Sequence, residues 1–420
     1  MRLLYSFSIA FLTFLAKCSS FFSKKIQLFF EGRKDIFTLL EKKCEDKKNI
    51  IWFHCASLGE FEQGKPIMEK IKQQDRNISI LVTFFSPSGF EIKKNDPIAD
   101  IISYLPVDTK RNAKRFVNIV KPEKVFFIKY EFWYNYIAEI AKAEIPFYYV
   151  SAIFRDNQYF FKSYGTWFLN NLRKCSFFFL QNESSRKLLT KYGISNAIVT
   201  GDTRFDRVYD IAKQNFALDF MLSFKKEKKM LVAGSTWNPD EKLLSELFKI
   251  IRTDYKLVIA PHLVDKQHIE RIKKIFSLFT VACYSEKESR DISGDEVLII
   301  DTIGILSKIY KYADISYIGG AFKTGLHNIL EAAVFAKPLF FGPHYKIFNE
   351  AIELVGRGAA FSITCADEMI KKIDFFEKNP DYYHSICDIC DNYVIQNLGA
   401  TDKILNIIKN LSLPQKLIEN

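Results

Sequence analysis

Short apolar runs recur along this chain, and each is followed by a turn and a longer amphipathic stretch. In the first half the runs predict strands at Asn49–Cys55, Ile78–Phe85, Ile102–Leu105, Lys124–Ile128, Phe147–Val150, Ser176–Gln181 and Ala197–Thr200. Helices are predicted from Glu60 to about Lys72, after Gly89, and over Lys110–Val120 and Phe132–Lys142. The pattern restarts after a Lys-rich helical stretch. Strands are then expected at Lys229–Ala233, Tyr255–Ala260, Phe279–Cys283, Glu296–Ile300, Ile315–Ile318, Pro338–Phe341 and Ala359–Ile363. The helices between them are Asp240–Arg252, Asp265–Ile275, Ile303–Tyr310, His327–Phe335, Phe348–Val355 and Ala366–Lys378. Continuously apolar strands alternating with helices mean parallel sheets covered on both faces. The fold class is therefore α/β, with two doubly wound, Rossmann-like domains facing a central cleft.

The expected organisation is a membrane anchor or in-plane helix (1–30), a first domain (31–206), a connector (207–228), a second domain (229–395) and a C-terminal helix (396–420). The helices from Asp381 onward are expected to pack back over the junction. A chain of 420 residues is long enough for two cores. Its charge of +11 suggests an anionic partner. Between Met1 and Lys48 ten Lys or Arg stand against five Asp or Glu, so +5 of that excess lies beside the apolar segment Leu3–Ala16. This placement favours a membrane surface over a nucleic-acid groove. The segment is marginal as a span, which takes about 20 apolar residues. The lysines after it keep the remainder on the cytoplasmic side. Eight scattered cysteines suit a reducing compartment. Cys387 and Cys390 read as ordinary helical neighbours, and no structural metal is expected.

Asp314–Asn349 carries the densest candidate chemistry. A strand feeding Gly319-Gly320, with Gly325 beyond and a helix after, would offer backbone N–H groups to a phosphate. Glu331, with Asn328 three residues earlier, could hold ribose hydroxyls; the plainer alternative is a solvated helix residue. His327 and the turn Gly342-Pro343-His344, running on to Asn349, belong to the same set. Ser57-Leu58-Gly59-Glu60 is a capping box. It also puts Glu60 at the carboxyl edge of a strand, where it could take a proton from a hydroxyl. Gly59 would let a substrate approach the backbone. Glu131 follows the strand Lys124–Ile128; it reads either as a second edge carboxylate or as a helix-start acid favoured by the dipole. Ser88-Gly89 opens another helix. Arg204 either reaches an anion or pairs with Asp206 or a neighbour. Ser235 and Thr236 suit phosphate contact or helix capping, and Pro261-His262 closes a strand.

These motifs, in this order from about Ile51 to Asn349, resemble the Kdo transferases. That family comprises membrane-associated GT-B glycosyltransferases that move 3-deoxy-D-manno-octulosonic acid (Kdo) from CMP-Kdo to a lipid A precursor. The carriers are His54-Cys55-Ala56-Ser57-Leu58-Gly59-Glu60, Ser86-Pro87-Ser88-Gly89, Tyr130-Glu131-Phe132-Trp133, Gly201–Asp206 and the Gly319–Asn349 block. The resemblance implies an inverting transfer with Glu60 as catalytic base and Glu131 as second essential acid. Gly319, Gly320, Asn328 and Glu331 would form the CMP cradle. Substrate or nucleotide contacts would also come from Ser57, Gly59, Ser88, Gly89, Arg204, Ser235, Thr236, Pro261, His262, His327, His344 and Asn349. It implies no cofactor and no required metal. The partners would be CMP-Kdo, a lipid A precursor (lipid IVA) and the cytoplasmic face of a bacterial inner membrane, with no nucleic acid. The chain departs from the family pattern at Ser151–Arg155, Pro261-His262-Leu263 and Asp202/Arg204, where arginine or lysine is displaced or replaced. A membrane-associated transferase using a UDP-N-acetylhexosamine donor is the nearest alternative. A non-catalytic membrane-docking protein would not need Glu60, Glu131 and Glu331 together.

Overall fold

The computed structural model describes residues 2–19, 23–214, 216–323 and 325–411. Residues 1 and 20–22 of the expected anchor, 215 of the connector, 324 of the glycine linker and 412–420 of the expected C-terminal helix lie outside the described residues. The chain divides into two compact units. The first comprises the residues up to Arg207 together with those from Leu398, and the second is Val208–Asn397.

The first unit is built on seven strands: β1 (Ile50–Cys55), β2 (Ser79–Phe84), β3 (Ile101–Tyr104), β4 (Lys124–Ile128), β5 (Phe147–Ala152), β6 (Phe177–Leu180) and β7 (Ala197–Val199). They pair in parallel in the order β3-β2-β1-β4-β5-β6-β7. Every residue of β1, β2 and β3 is buried, as near-continuous Ile, Val and Phe runs require. The pleat sends neighbours to opposite faces. Ile50 and Trp52 therefore join one core, and Ile51, Phe53 and Cys55 the other. Trp52 packs on Phe116 and Tyr136, while Phe53 stacks on Phe126 at 4.6 Å. Each such ring contributes roughly 1.5–3 kcal/mol by leaving water.

The second unit repeats the plan with β8 (Lys229–Thr236), β9 (Tyr255–Pro261), β10 (Val281–Cys283), β11 (Val297–Ile299), β12 (Ile315–Ile318), β13 (Leu339–Phe341) and β14 (Ala360–Ser362). Their order is β10-β11-β9-β8-β12-β13-β14, again all parallel. In each sheet the growth of the chain reverses once, between β1 and β4 in the first unit and between β8 and β12 in the second. That reversal opens a crevice outside the carboxyl ends of two neighbouring strands.

Several elements differ from expectation. The helix expected at His327–Phe335 is a single turn, Leu330–Ala333. The chain after β12 first folds back on itself, and the His327 N–H closes the loop on the Gly319 carbonyl. Ala336 then takes a left-handed backbone, φ 55, ahead of Pro338. The helix expected at Ile303–Tyr310 is reduced to Leu306–Ile309 and a 3₁₀ turn, Tyr310–Tyr312. Among the described residues there is no separate connector. The helix Thr203–Lys213 runs across the division between the units. Asp219–Lys225 belongs to the second unit, where Lys225 pairs with Asp314 at 2.6 Å. The helix Ala400–Leu411 returns to the first unit, where Ile404 and Ile408 join the core of Phe53 and Phe126.

Arg2–Ser19 is one helix of 18 residues. Among the described residues no helix is long and apolar enough to cross a membrane. Leu3, Phe7, Phe11, Leu12 and Phe14 are exposed, with Leu3 at 85%. Tyr5 fastens this helix to the unit: its ring packs near Tyr134 and Trp167, and its hydroxyl donates to Asp108 Oδ2 at 2.7 Å.

Asp206 anchors the start of the C-terminal helix, accepting from the N–H groups of Gly399 and Thr401 and from the Thr401 hydroxyl. Asp206→Ala is expected to lower stability by about 1–2 kcal/mol. Chemical denaturation measures the loss, and amide exchange should show it concentrated in Ala400–Leu411.

Candidate active site

The reversal in the first sheet brings Glu60 and Glu131 together. β1 ends at Cys55, and the helix Leu58–Gln74 starts with Ser57 as its cap. The capping box forms: the Ser57 N–H donates to Glu60 Oε2 at 2.9 Å. This bond fixes the carboxyl group and leaves Oε1 outside the backbone cap. The capping role therefore leaves room for a chemical one, because the backbone N–H takes one oxygen of two. Glu131 sits in the loop after the neighbouring strand β4, and the next helix begins only at Tyr134. It lies ahead of the first turn, so it is not a helix-start acid. Its Oε2 accepts from Trp133 Nε1 at 2.7 Å and lies 3.2 Å from His54 Nε2. Burial, and secondarily the charge of Glu131, push the Glu60 carboxyl up to about 7; the Ser57 N–H and Lys129 oppose them.

The remaining residues expected in this unit take different places. Ser57 is half-buried at the cap, and a side chain at Gly59 would meet nothing within 4 Å. Gly89 is a packing residue, since a Cβ there would lie 2.9 Å from the Leu58 nitrogen. Ser88 is exposed and hydrogen-bonds to Ser86 at 2.7 Å. Arg204 pairs with Asp202, through Nε at 2.8 Å and Nη2 at 2.7 Å, rather than with Asp206. Asp202 is buried and also accepts from Gln63 Nε2 at 2.9 Å. The displaced Arg155 lies 5.8 Å from the Tyr130 ring, beside the loop of Glu131.

In the second unit the reversal joins the ends of β8 and β12. Ser235 has a left-handed backbone, φ 54, at a register shift in β8. Strain of this kind is held only where neighbours enforce it. Thr236 is fully buried and donates to Glu241 at 3.3 Å, so its hydroxyl is not presented to a ligand. The expected free N–H groups of Gly319-Gly320 are already used. Gly319 donates to the Gly234 carbonyl, and Gly320 donates to Asp240 Oδ2 at 3.0 Å. Packing explains both glycines: a Cβ on Gly319 would fall 2.4 Å from the Ser235 oxygen, and one on Gly320 2.4 Å from the Gly325 oxygen. With only one helical turn following, no helix dipole is directed here either.

What this edge does present is aromatic and polar. His262, directly after Pro261 at the end of β9, stacks between Trp237 at 4.7 Å and His327 at 4.5 Å. Trp237 Nε1 donates to His327 Nε2 at 3.1 Å, which places the His327 proton on Nδ1. Burial, with the neighbouring imidazole second, pushes His327 down to about 4; His262 is lowered by burial and by His268. Asn328 Nδ2 donates to Glu331 Oε1 at 2.9 Å. His344 and Asn349 are exposed, the former with its N–H on the Ala321 carbonyl at 2.8 Å.

Sequence reasoning quoted His54 and Trp133 only as motif positions, without a role, and missed Thr83, Trp237 and Asp240. One signal was available: His54 and Thr83 are polar residues inside otherwise apolar strand runs.

The family model for 3-Deoxy-D-manno-octulosonic-acid transferase (kdotransferase) matches residues 31–207. The chain is 27% identical to the 3-deoxy-D-manno-octulosonic acid transferase of Rickettsia bellii, over 90% of this chain and 93% of that protein. It is also 27% identical to the enzyme of the same name from Aquifex aeolicus, over 82% of this chain and 90% of that one. Over most of its length the chain is similar to Kdo transferases, and the family model matches its first unit. The chain is thus a glycosyltransferase. A bifunctional glycosyltransferase/methyltransferase of Fusobacterium nucleatum is 27% identical over 87% of this chain, which spans 57% of that protein's length. Among solved structures, the UDP-GlcNAc 2-epimerase of Neisseria meningitidis aligns with a TM-score of 0.60 at 16% identity, over 86% of this chain and 99% of that one. A glycosyltransferase of Rickettsia africae aligns at 0.57 and 13% identity, over 88% and 100%. These likenesses concern the fold alone: each of the two units is a seven-stranded parallel sheet with helices, as the GT-B class requires.

The Glu60 carboxyl should titrate near 7 in the native protein, against 4.5 ordinarily. Glu131→Gln removes one cause of the rise and is expected to move the midpoint down, as carboxyl NMR would show. Between these two values the native state keeps a proton that the unfolded chain has lost, so stability falls as pH rises through the window. The total is on the order of 3 kcal/mol, and Glu60→Gln should remove that part of the pH dependence of unfolding.

Proposed function

We propose that this chain is a Kdo transferase that moves Kdo from CMP-Kdo to a lipid A precursor such as lipid IVA, with Glu60 as the base. The observation that carries this reading is the Glu60 carboxyl. It is held through Oε2, keeps Oε1 outside the backbone cap, and is raised to about 7. A base of that strength is partly ionised near neutrality and still basic enough to accept a proton as a bond forms. Glu60 Oε1 takes the proton of the acceptor's sugar hydroxyl, and the hydroxyl oxygen attacks the anomeric carbon of Kdo. The bond to the CMP phosphate breaks on the opposite face, and the configuration inverts. Glu131 supplies the neighbouring negative charge and orients the acceptor.

The donor is assigned to the second unit, at the ends of β8 and β12. There Ser235 approaches the phosphate and the Asn328–Glu331 pair takes the ribose hydroxyls. The acceptor's lipid is met by the exposed apolar face of Arg2–Ser19, lying in the plane of the cytoplasmic leaflet of the inner membrane. Lys17, Lys24, Arg33 and Lys34 follow that face in sequence. The basic surface suits anionic lipid, although Arg33 itself is spent on the carbonyls of Phe29, Phe85 and Leu105.

Purified protein incubated with CMP-Kdo and lipid IVA should yield a product heavier by one or more Kdo units. Transfer blocked by excess UDP but not by CMP would instead favour a UDP-sugar donor. Glu60→Gln should lower turnover by at least about 10²-fold while thermal unfolding at pH 8 shows an intact fold. Full transfer in that variant would remove Glu60 from the mechanism.

A further inference from the structure

Behind the two carboxylates runs a line of buried polar side chains that the transfer step does not use directly. β1 and β2 pair in register with His54 opposite Thr83, and both residues are wholly buried. Trp52 Nε1 lies 2.8 Å from Thr83 Oγ1, and His54 Nδ1 lies 2.9 Å from the same oxygen. On the other side of the ring, His54 Nε2 is 3.2 Å from Glu131 Oε2, and the Trp133 indole N–H is directed at both of them, 2.9 Å from Nε2 and 2.7 Å from Oε2.

The donor and acceptor inventory decides the direction of this line. An indole N–H can only donate, so Thr83 Oγ1 accepts from Trp52. The Thr83 hydroxyl has one proton, and His54 Nδ1 is the acceptor within its reach. His54 then carries its own proton on Nε2, where it donates to Glu131 Oε2. The opposite tautomer would make Thr83 accept twice and leave its buried proton without an acceptor, which an interior penalises with the full desolvation of that group. The shared Trp133 N–H could also be satisfied by an unprotonated Nε2, but Glu131 Oε2 is the nearer acceptor and carries the charge, and with Nε2 protonated it is the acceptor that remains. Two directed donors then converge on one carboxylate oxygen.

We infer that Trp52, Thr83 and His54 form a positioning relay that holds His54 as the Nε2–H tautomer and thereby aims the Glu131 carboxylate. These are positioning residues, since none of them is argued to touch the substrate. The inference rests on the part that Glu131 plays in the proposed transfer. Apolar side chains would fill the same interior without the desolvation of three polar groups, so the line has a purpose only at its Glu131 end.

Two measurements test the relay. Imidazole ¹⁵N NMR of the full chain, with the His54 signal identified by its loss in His54→Gln, should show the proton on Nε2. A proton on Nδ1 overturns the inference whatever the variants do. In transfer assays, Thr83→Val should lower kcat by at least about tenfold, the consequence of one unpaired buried donor. KM for donor and acceptor should stay within about twofold of the wild type, and Thr83→Ser should recover most of the rate. In a Glu131→Gln background, Thr83→Val should have no further effect on the residual rate. Unchanged kcat in Thr83→Val, or an equal loss in both backgrounds, overturns the relay. If Glu131→Gln alone keeps full turnover, it is the role of Glu131 that falls, and the tautomer still decides whether the relay exists. Should Thr83→Val not fold, the wild-type imidazole spectrum still separates the two tautomers, and with them the presence or absence of the relay.

Discussion

A parallel sheet that grows in both directions from its first strand must have one place where two neighbouring strands send their connections to opposite faces. Everything at the candidate site depends on that constraint. The connections leaving the carboxyl ends of β1 and β4 part to opposite faces there, and Glu60 and Glu131 lie close enough for the charge of one to raise the other. The arrangement recurs in the second unit, where the ends of β8 and β12 bring Ser235 beside Gly319. The hydrophobic core enforces both. β1 is buried on both faces, with Trp52 to one side and Phe53 to the other, and a shift of one residue would exchange them.

Within that crevice a local capping device is compatible with chemical use. A capping box needs one carboxylate oxygen, and a glutamate has two. The Ser57 N–H therefore orients Glu60 at little cost to its reactivity, while burial and Glu131 keep its proton affinity high. The same economy does not extend to the second unit. There the glycine turn resembles a phosphate cradle in sequence, yet its N–H groups are consumed by the Gly234 carbonyl and by Asp240. Asp240 also accepts from the Trp237 N–H and the Tyr317 hydroxyl, so one buried carboxylate ties the loops after β8 and β12 together. What this edge of the unit offers instead is side chains: the His262 stack and the Asn328–Glu331 pair.

The N-terminal helix shows how an exposed apolar face can be held in a defined orientation. Tyr5 reaches Asp108, and Asp108 in turn accepts from the N–H groups of Asn135 and Tyr136 at the start of the helix that follows Glu131. The helix is thereby fastened to the segment next to the candidate site rather than tethered loosely to it.

The sequence by itself determined the elements whose signals are local. Strand runs stand within a few residues of their expected limits, because a doubly buried strand must be continuously apolar. The capping box was legible in Ser57-x-x-Glu60, and the position of Glu131 in its place after a strand. Tertiary structure alone decided which strands became neighbours, and with that the meeting of residues far apart in the chain. His54 finds Thr83 across 29 positions and Glu131 across 77. It also decided that His327–Phe335 would be mostly loop, because the His327 N–H bonds back to Gly319 before a helix can start. The choice of Asp202 as the partner of Arg204, and of the core that Ala400–Leu411 joins, were likewise outside sequence reach. Periodicity reports which face of an element is apolar, but not which partner will cover it; that choice is made by the packing of the whole chain.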